Sequence, residues 1–254
     1  MNLLFIGDVV GKSGCEFLMK NLYKIKKEYN IDVTIANGEN SARGNGITKA
    51  SAEDLLSFGV DIITTGNHAF RRKEAADIFD CECVIRPANY PDGCIGKGYR
   101  TFDFGRYQLA VVNLMGTAYM DALDNPFSTI DRILDEIDTP NIIVDFHAEA
   151  TSEKKCMGHY LSGRVTAVIG THTHVQTSDE IILNGHTGYI TDAGMTGPEL
   201  SVLGVMTEDA LNRQRFKTPV FFRESENPSF LNGVVLEIDT KLGICTKITR
   251  LVIR

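Results

Sequence analysis

Two histidines separated by one residue, His172 and His174, follow the run Val165-Thr166-Ala167-Val168-Ile169 and Gly170. The run is apolar and largely β-branched, so it reads as a buried strand that Gly170 ends. In extended backbone, residues i and i+2 lie on one side, which predicts that both imidazoles converge on one metal centre or on two adjacent ones. Taken alone, such a pair equally suits two surface histidines at a strand terminus. The other chemistry-bearing residues weigh against that reading. Asp8 follows an apolar run at 3–6, Glu39 and Asn40 follow one at 33–36, Asn67 and His68 follow one at 61–65, and His147 follows one at 141–146. Each by itself is explained by capping or by a satisfied histidine, but their recurrence at successive strand ends, where α/β sheets collect functional groups, is not. The set Asp8, Glu39, Asn40, Asn67, His68, His147, His172 and His174 offers oxygen and imidazole donors without thiolate. Such donors suit two divalent metals that share a carboxylate at a spacing of roughly 3.5–4 Å. A metal pair of this kind lowers the pKa of a bridging water and clamps a phosphoryl group for in-line attack.

The elements that must position these residues are read from hydrophobic period. Helical spacing covers 13–29, with Phe17, Leu18, Leu22 and Ile25 on one face, and 48–58, capped by Thr48 and stopped at Gly59. Further helices are predicted at 71–79, at 126–137 behind Pro126, at 151–161 and at 207–216. Hairpins are predicted at 99–104 with 107–114 around Gly105-Arg106, at 180–183 with 189–192 around Asn184-Gly185-His186, and at 233–238 with 245–253. The stretch 194–204 reads as a flexible, glycine-bearing loop. Interior strands joined by helical crossovers, with antiparallel hairpins at the margins, predict a layered α/β sandwich with mixed sheets. His159 on a helix and His186 at a hairpin tip fall outside the site. Arg43, in the glycine-bearing loop 41–46, is either a planar fork for a substrate phosphate or a solvated arginine. Gly7-Asp8-Val9-Val10-Gly11-Lys12-Ser13 has three residues between its glycines where a phosphate-wrapping P-loop needs four.

Composition bounds the function classes. The 254 residues are 43% hydrophobic and 23% charged, those of an ordinary globule, and no repeat or linker divides them, so one domain over 1–254 is expected. A net charge of -7 argues against broad or stable binding to nucleic-acid backbone, while leaving small anionic substrates open if a metal supplies positive charge locally. With no signal-like or membrane-length apolar stretch, a cytoplasmic protein without membrane contact is expected. The six cysteines lack Cys-x-x-Cys spacing and read as reduced, structural thiols; Cys81 and Cys83 alone make no zinc site.

Asp8, Gly38-Glu39-Asn40, Gly66-Asn67-His68, His147 and His172-Thr173-His174 resemble, in order, the motif series of the calcineurin-like metallophosphoesterases. The longer wording Gly7-Asp8-Val9-Val10-Gly11, Ala36-Asn37-Gly38-Glu39-Asn40 and Ile169-Gly170-Thr171-His172-Thr173-His174 is similar to their bacterial YmdB-type branch across nearly the whole chain. The resemblance implies an α/β/β/α sandwich with two mixed sheets. It also implies an iron or manganese pair, with zinc as the alternative, hydrolysis of 2′,3′-cyclic and 3′,5′-cyclic nucleotides, and self-association into a homo-oligomer. Within it, Glu39 bridges the metals, Asp8 and His174 hold one, and Asn67, His147 and His172 hold the other. Asn40 touches metal or phosphate, and His68 is the general acid. The chain departs from the wider superfamily at Val10, where a histidine is usual, at Glu39, where aspartate is usual, and at Ala69-Phe70, which leaves His68 without its customary orienting carboxylate. A phosphomonoesterase or phosphoprotein phosphatase on the same site, and a non-catalytic metal-binding regulator, are the competing readings.

Metal content should fall on His172→Ala or His174→Ala and stay level on His159→Ala or His186→Ala. Elemental analysis of the four purified variants checks this, and equal loss across all four would contradict the assignment of the site to the strand ends.

Overall fold

The run at residues 3–6 is apolar without interruption because both of its faces are buried. Leu3 and Phe5 join one core and Leu4 and Ile6 another. The structure, a computed structural model, describes residues 1–254 apart from the side chain of Ala75. In chain order the elements are β1 Asn2–Ile6, β2 Asp8–Val9, α1 Gly11–Glu28, β3 Val33–Asn37, α2 Lys49–Ser57, β4 Ile62–Thr64, α3 Ala75–Ile78, β5 Tyr99–Asp103, β6 Gln108–Met115 and α4 Pro126–Leu134. They continue with β7 Ile142–His147, α5 Thr151–Leu161, β8 Ala167–Thr171, β9 Ile181–Leu183, β10 Thr187–Ile190, β11 Met195–Pro198, α6 Thr207–Phe216, β12 Ser229–Asp239 and β13 Ile244–Ile253.

A seven-stranded sheet runs β2-β11-β12-β1-β3-β4 with β13 on the far side of β12, and a six-stranded sheet runs β5-β6-β7-β8-β10-β9. Both are mixed. β1, β3 and β4 are parallel and β12 is antiparallel to β1, while β6, β7, β8 and β10 are parallel with antiparallel β5 and β9 at the edges. Leu3, Phe5 and Ile35 meet Val111, Ile143 and Ile169 between the sheets. Leu4 and Ile6 pack under Leu18, Leu22 and Leu55 of α1 and α2, and Val112 and Val144 pack under Ile130 and Met157 of α4 and α5. The result is the expected α/β/β/α layering.

Four local expectations are corrected. The stretch 194–204 is not simply a flexible loop: β11 within it is buried and lies parallel to β2 and antiparallel to β12. A four-residue strand containing a glycine and a proline carries no strand propensity of its own, and its order comes from the neighbours it pairs with. The helix predicted at 71–79 shrinks to α3, and the one predicted to 137 ends at Leu134. Finally, α1 starts at Gly11 and its first amides are occupied from within. Glu224 accepts hydrogen bonds from the Ser13 amide at 2.7 Å and the Lys12 amide at 3.3 Å. A carboxylate of the chain itself stands where a P-loop would hold phosphate.

The placement of the histidine pair also differs from expectation. β8 ends at Thr171, and His172 and His174 have φ of 101° and 63°, so they do not alternate along an extended strand. They sit in a left-handed turn that side chains hold from below. Asp8 Oδ2 accepts from the His172 amide at 3.0 Å, and Asp192 accepts from the Thr173 amide at 3.1 Å and the Gly194 amide at 2.9 Å. Lys154 of α5 reaches Asp192 at 2.6 Å, and both side chains are buried. Lys154→Met should therefore destabilise the fold by about 3–5 kcal/mol, the usual consequence of leaving a buried charge without its partner. The double variant Lys154→Met/Asp192→Asn should regain at least half of that in urea unfolding. A single-variant loss below about 1 kcal/mol would mean that the turn does not depend on this pair.

Candidate metal centre

The carboxyl ends of both sheets deliver the site. Asp8 opens β2, Glu39 and Asn40 follow β3, and Asn67 and His68 lie past the end of β4, all from the seven-stranded sheet. His147 is the last residue of β7, and His172 and His174 follow β8, all from the six-stranded sheet. The eight residues named from sequence come together. His159 lines a separate recess with Asp179 and Tyr189, and His186 stays in the turn between β9 and β10.

At the centre, His147 Nε2 faces Asn67 Oδ1 at 2.9 Å, His172 Nδ1 at 3.1 Å and Glu39 Oε1 at 3.3 Å. The other ring nitrogen is already spoken for. Thr171 donates its hydroxyl proton to Asp145 Oδ1 at 2.7 Å, so its oxygen accepts from His147 Nδ1 at 2.9 Å. A neutral His147 then presents a bare lone pair at Nε2 to a carboxylate oxygen, an amide oxygen and another imidazole. With the ring neutral, hydrogen bonding leaves that arrangement short of positive charge, which a proton on Nε2 would supply to part of it and a cation among the four atoms to all of it. Glu39, His147 and His172 offer ligand atoms within 4.8 Å of one another.

Beside this group is a second one. Asp8 Oδ1 is fully buried without a hydrogen-bond partner and lies 3.7 Å from His174 Nε2. Asn40 Nδ2 donates to Glu39 Oε1 at 3.1 Å and stands 3.3 Å from the same His174 nitrogen. A buried carboxylate oxygen left unsatisfied is costly, and it marks a place for a positive charge. Backbone clearance serves the same end: a Cβ on Gly66 would stand 2.2 Å from His147 Cδ2 and 2.5 Å from Glu39 Oε2, so only glycine lets this turn approach. The residues present fit divalent metals.

The electrostatics agree. Burial pushes the Asp8 carboxyl above its ordinary range. Burial would do the same to Glu39, but the charge and hydrogen bonds of His147 and His68 bring it well below. Burial disfavours the His147 cation, yet Glu39 and Asp8 raise its pKa to about 9, while burial and the neighbouring His147 lower His172 to about 3. The acids thus draw positive charge onto His147 while His172 stays neutral, and a cation among these groups would supply that charge in place of the proton on His147. These carboxylates call for positive charge at this point.

His68 is better oriented than Ala69-Phe70 implies. Its Nδ1 lies 2.8 Å from Asn40 Oδ1 and 3.1 Å from Glu39 Oε1, and its amide donates to Glu39 Oε2 at 2.8 Å. Glu39 and Asn40 thus take the place of the missing downstream acid, and Nε2 remains for another partner. The ring is partly exposed and lines a large cleft.

Three supporting residues were not singled out from sequence. Asp145 accepts from Thr171, Thr64 and Asn37 and fixes the His147 ring through Thr171. Burial raises its pKa to about 6. Its signal was present: Asp145 interrupts an apolar strand two residues before His147, hence on the same strand face. Asp192 holds the histidine turn, and Glu149 lies 3.2 Å from His172 Nε2.

Comparison with known proteins bears on the chain as a whole. The family described as YmdB-like protein matches residues 4–251. A 2′,3′-cyclic-nucleotide 2′-phosphodiesterase of Bacillus subtilis is 45% identical over 256 residues, covering 100% of this chain and 97% of that protein. The crystal structure of a hypothetical protein from Thermus thermophilus superposes with a TM-score of 0.94 at 41% identity, covering 99% of this chain and 98% of the other. A structure titled as a novel phosphatase from Mycoplasma pneumoniae gives a TM-score of 0.95 at 34% identity, covering 100% of this chain and 93% of the other. With the ordered motifs of the calcineurin-like metallophosphoesterases gathered at the carboxyl ends of both sheets, and with relatives that match it from end to end, the chain belongs to the YmdB-like family.

Proposed function

We propose that the chain is a metal-dependent phosphodiesterase that opens the 2′,3′-cyclic phosphate of small nucleotides. The observation that carries the proposal is the convergence on His147 Nε2 of lone pairs from Asn67, Glu39 and His172, beside the orphaned Asp8 Oδ1. Glu39 stands between the two groups and is the shared ligand. Asp8 and His174 complete one position, Asn67, His147 and His172 the other, and Asn40 faces metal or phosphate. Iron or manganese suits these donors, and zinc suits them nearly as well. Metal held by these residues would supply Lewis acidity toward a phosphoryl oxygen and would lower the pKa of a bound water. Because both sheets contribute donors, we read residues 1–254 as one domain, and we expect it to self-associate in the cytoplasm.

The chain's own residues do the rest. Asp145 and Thr171 hold the His147 ring in one tautomer, and Asp192 fixes the turn that presents His172 and His174. When water adds to phosphorus the P–O2′ bond breaks, and the departing ribose oxygen takes a proton from His68 Nε2, leaving a 3′-phosphate. The name of the Bacillus subtilis relative supports this linkage. A 3′,5′-cyclic phosphate is also a cyclic diester, with P–O3′ and P–O5′ bonds in place of P–O2′ and P–O3′, and is the second substrate class. The phosphatase title of the Mycoplasma pneumoniae structure favours activity on monoesters as well, and a panel of both ester types separates the readings. Retained fold and metal without turnover of any phosphoester would leave only a regulatory protein.

His68→Ala should keep the metal content and lower kcat for a 2′,3′-cyclic nucleotide by something on the order of 10²–10⁴. The loss should be much smaller for a nitrophenyl ester, whose leaving group departs as a stable anion. Kinetics of both esters with both enzymes test this. An equal loss would argue for electrostatic stabilisation in place of acid catalysis, and loss of metal would make His68 a ligand.

A further inference from the structure

The cleft that contains Glu39, Asn40, His68, His172 and His174 has a volume of ≈ 1530 Å³, larger than the roughly 300–1,000 Å³ usual for a small-molecule site. It continues from the candidate metal centre along the start of α1 and past the segment 203–229. On that far segment Phe221 is 87% exposed and Phe222 is 47% exposed. Large apolar rings exposed in a cleft of mixed lining need a reason, since burying them would be favourable. The flank that follows the rings is pinned: Met206 donates its amide to the Arg223 carbonyl, Ser225 donates its amide to the Gly204 carbonyl, Arg223 forms a two-pronged pair with Asp209, and Glu224 caps α1. The chain therefore anchors the rings from their C-terminal side and leaves them exposed. In the same cleft, α1 and the loop after Asn40 contribute Lys12, Lys20 and Arg43, with Glu16 as the shared partner of both lysines and with Glu149, Glu224 and Glu226 also in the lining.

Anchored, exposed aromatic rings and cations that track a cleft are the two parts of a single-strand platform, on which bases stack and backbone phosphates lie. Resting on the phosphodiesterase reading above, we infer that the cleft takes the 3′ end of a short RNA whose terminal ribose carries the 2′,3′-cyclic phosphate. The terminal phosphate lies at the candidate metal centre, the preceding bases stack on Phe221 and Phe222, and the preceding phosphates meet Lys12, Lys20 and Arg43. Stacking without base-edge hydrogen bonds makes the recognition tolerant of sequence. The chemistry balances as a hydrolysis: one water is consumed, the P–O2′ bond breaks, and the product is an RNA with a free 2′-hydroxyl and a 3′-phosphate. The net charge of -7 agrees with a grip on a few nucleotides only, because binding along a duplex needs a basic face.

The test compares kcat/KM of the metal-loaded full chain on a trinucleotide ending in 2′,3′-cyclic phosphate and on the corresponding mononucleotide. The trinucleotide should be preferred by about tenfold or more. Phe221→Ala should lower the trinucleotide-to-mononucleotide ratio by about 5–100-fold, the worth of one stacked base. Raising salt should depress kcat/KM more steeply for the trinucleotide, with a log–log slope of about -0.7 per contacted phosphate. Turnover of the mononucleotide with no advantage of length, or a loss on Phe221→Ala that is equal for both substrates, overturns the inference and leaves the phosphodiesterase reading intact. If neither substrate is turned over, the phosphodiesterase reading fails and this inference with it.

Discussion

Everything in this molecule is arranged around a carboxylate in a place where a carboxylate should not be stable. Glu39 is 1% exposed, at the seam between two sheets, and no lysine or arginine is paired with it. Two histidines, two amides of the backbone and side chains, and the neighbouring Asp8 surround it instead. An anion held that way is a fixed electrostatic demand, and the sandwich is the frame that prevents the demand from relaxing. The apolar packing on both faces of β1 and β3 keeps the strand ends still, so the donors cannot drift outward to find water.

Seen from that constraint, the two sheets have different tasks. The seven-stranded sheet brings the acids and amides, and the six-stranded sheet brings the imidazoles other than His68. Neither set is a site alone. The inter-sheet core that joins Leu3, Phe5 and Ile35 to Val111, Ile143 and Ile169 thereby sets the distance between anionic and neutral donors. Behind the imidazoles, Asp145 with Thr171 and Lys154 with Asp192 reach in from the six-stranded side and hold ring and turn separately.

The strand ends were legible because their signal is local. An apolar run followed by a polar, ligand-type residue needs only a few positions to read, and the eight residues that lie together were read that way. Layering followed from the same runs, since strands buried on both faces and joined by helices leave few alternatives. What escaped depended on partners far away in sequence. β11 is ordered by pairing with β2 and β12, and the cap on α1 comes from Glu224, more than 200 residues later. The histidine pair was found for a reason that proved incomplete. Alternation along a strand predicted convergence, but the convergence comes from positive φ at both residues and from Asp8 and Asp192 holding the amides. Asp145 was readable in principle and was passed over because an acid inside an apolar strand was not matched to the histidine two residues on.

That turn has a consequence for how the sequence can change. Left-handed backbone disfavours any residue with a Cβ, by roughly 1–3 kcal/mol at each position, and glycine at 172 or 174 would relieve it. A search for more stable variants would therefore be drawn to the two positions whose side chains the site can least spare. Stability and donor count pull in opposite directions over three residues, while the scaffold around them has no such conflict. Heat-resistant forms of this fold should accordingly keep the turn as it is and gather their improvements in the outer helices and the closing hairpin, where a better-packed residue removes nothing that the crevice needs.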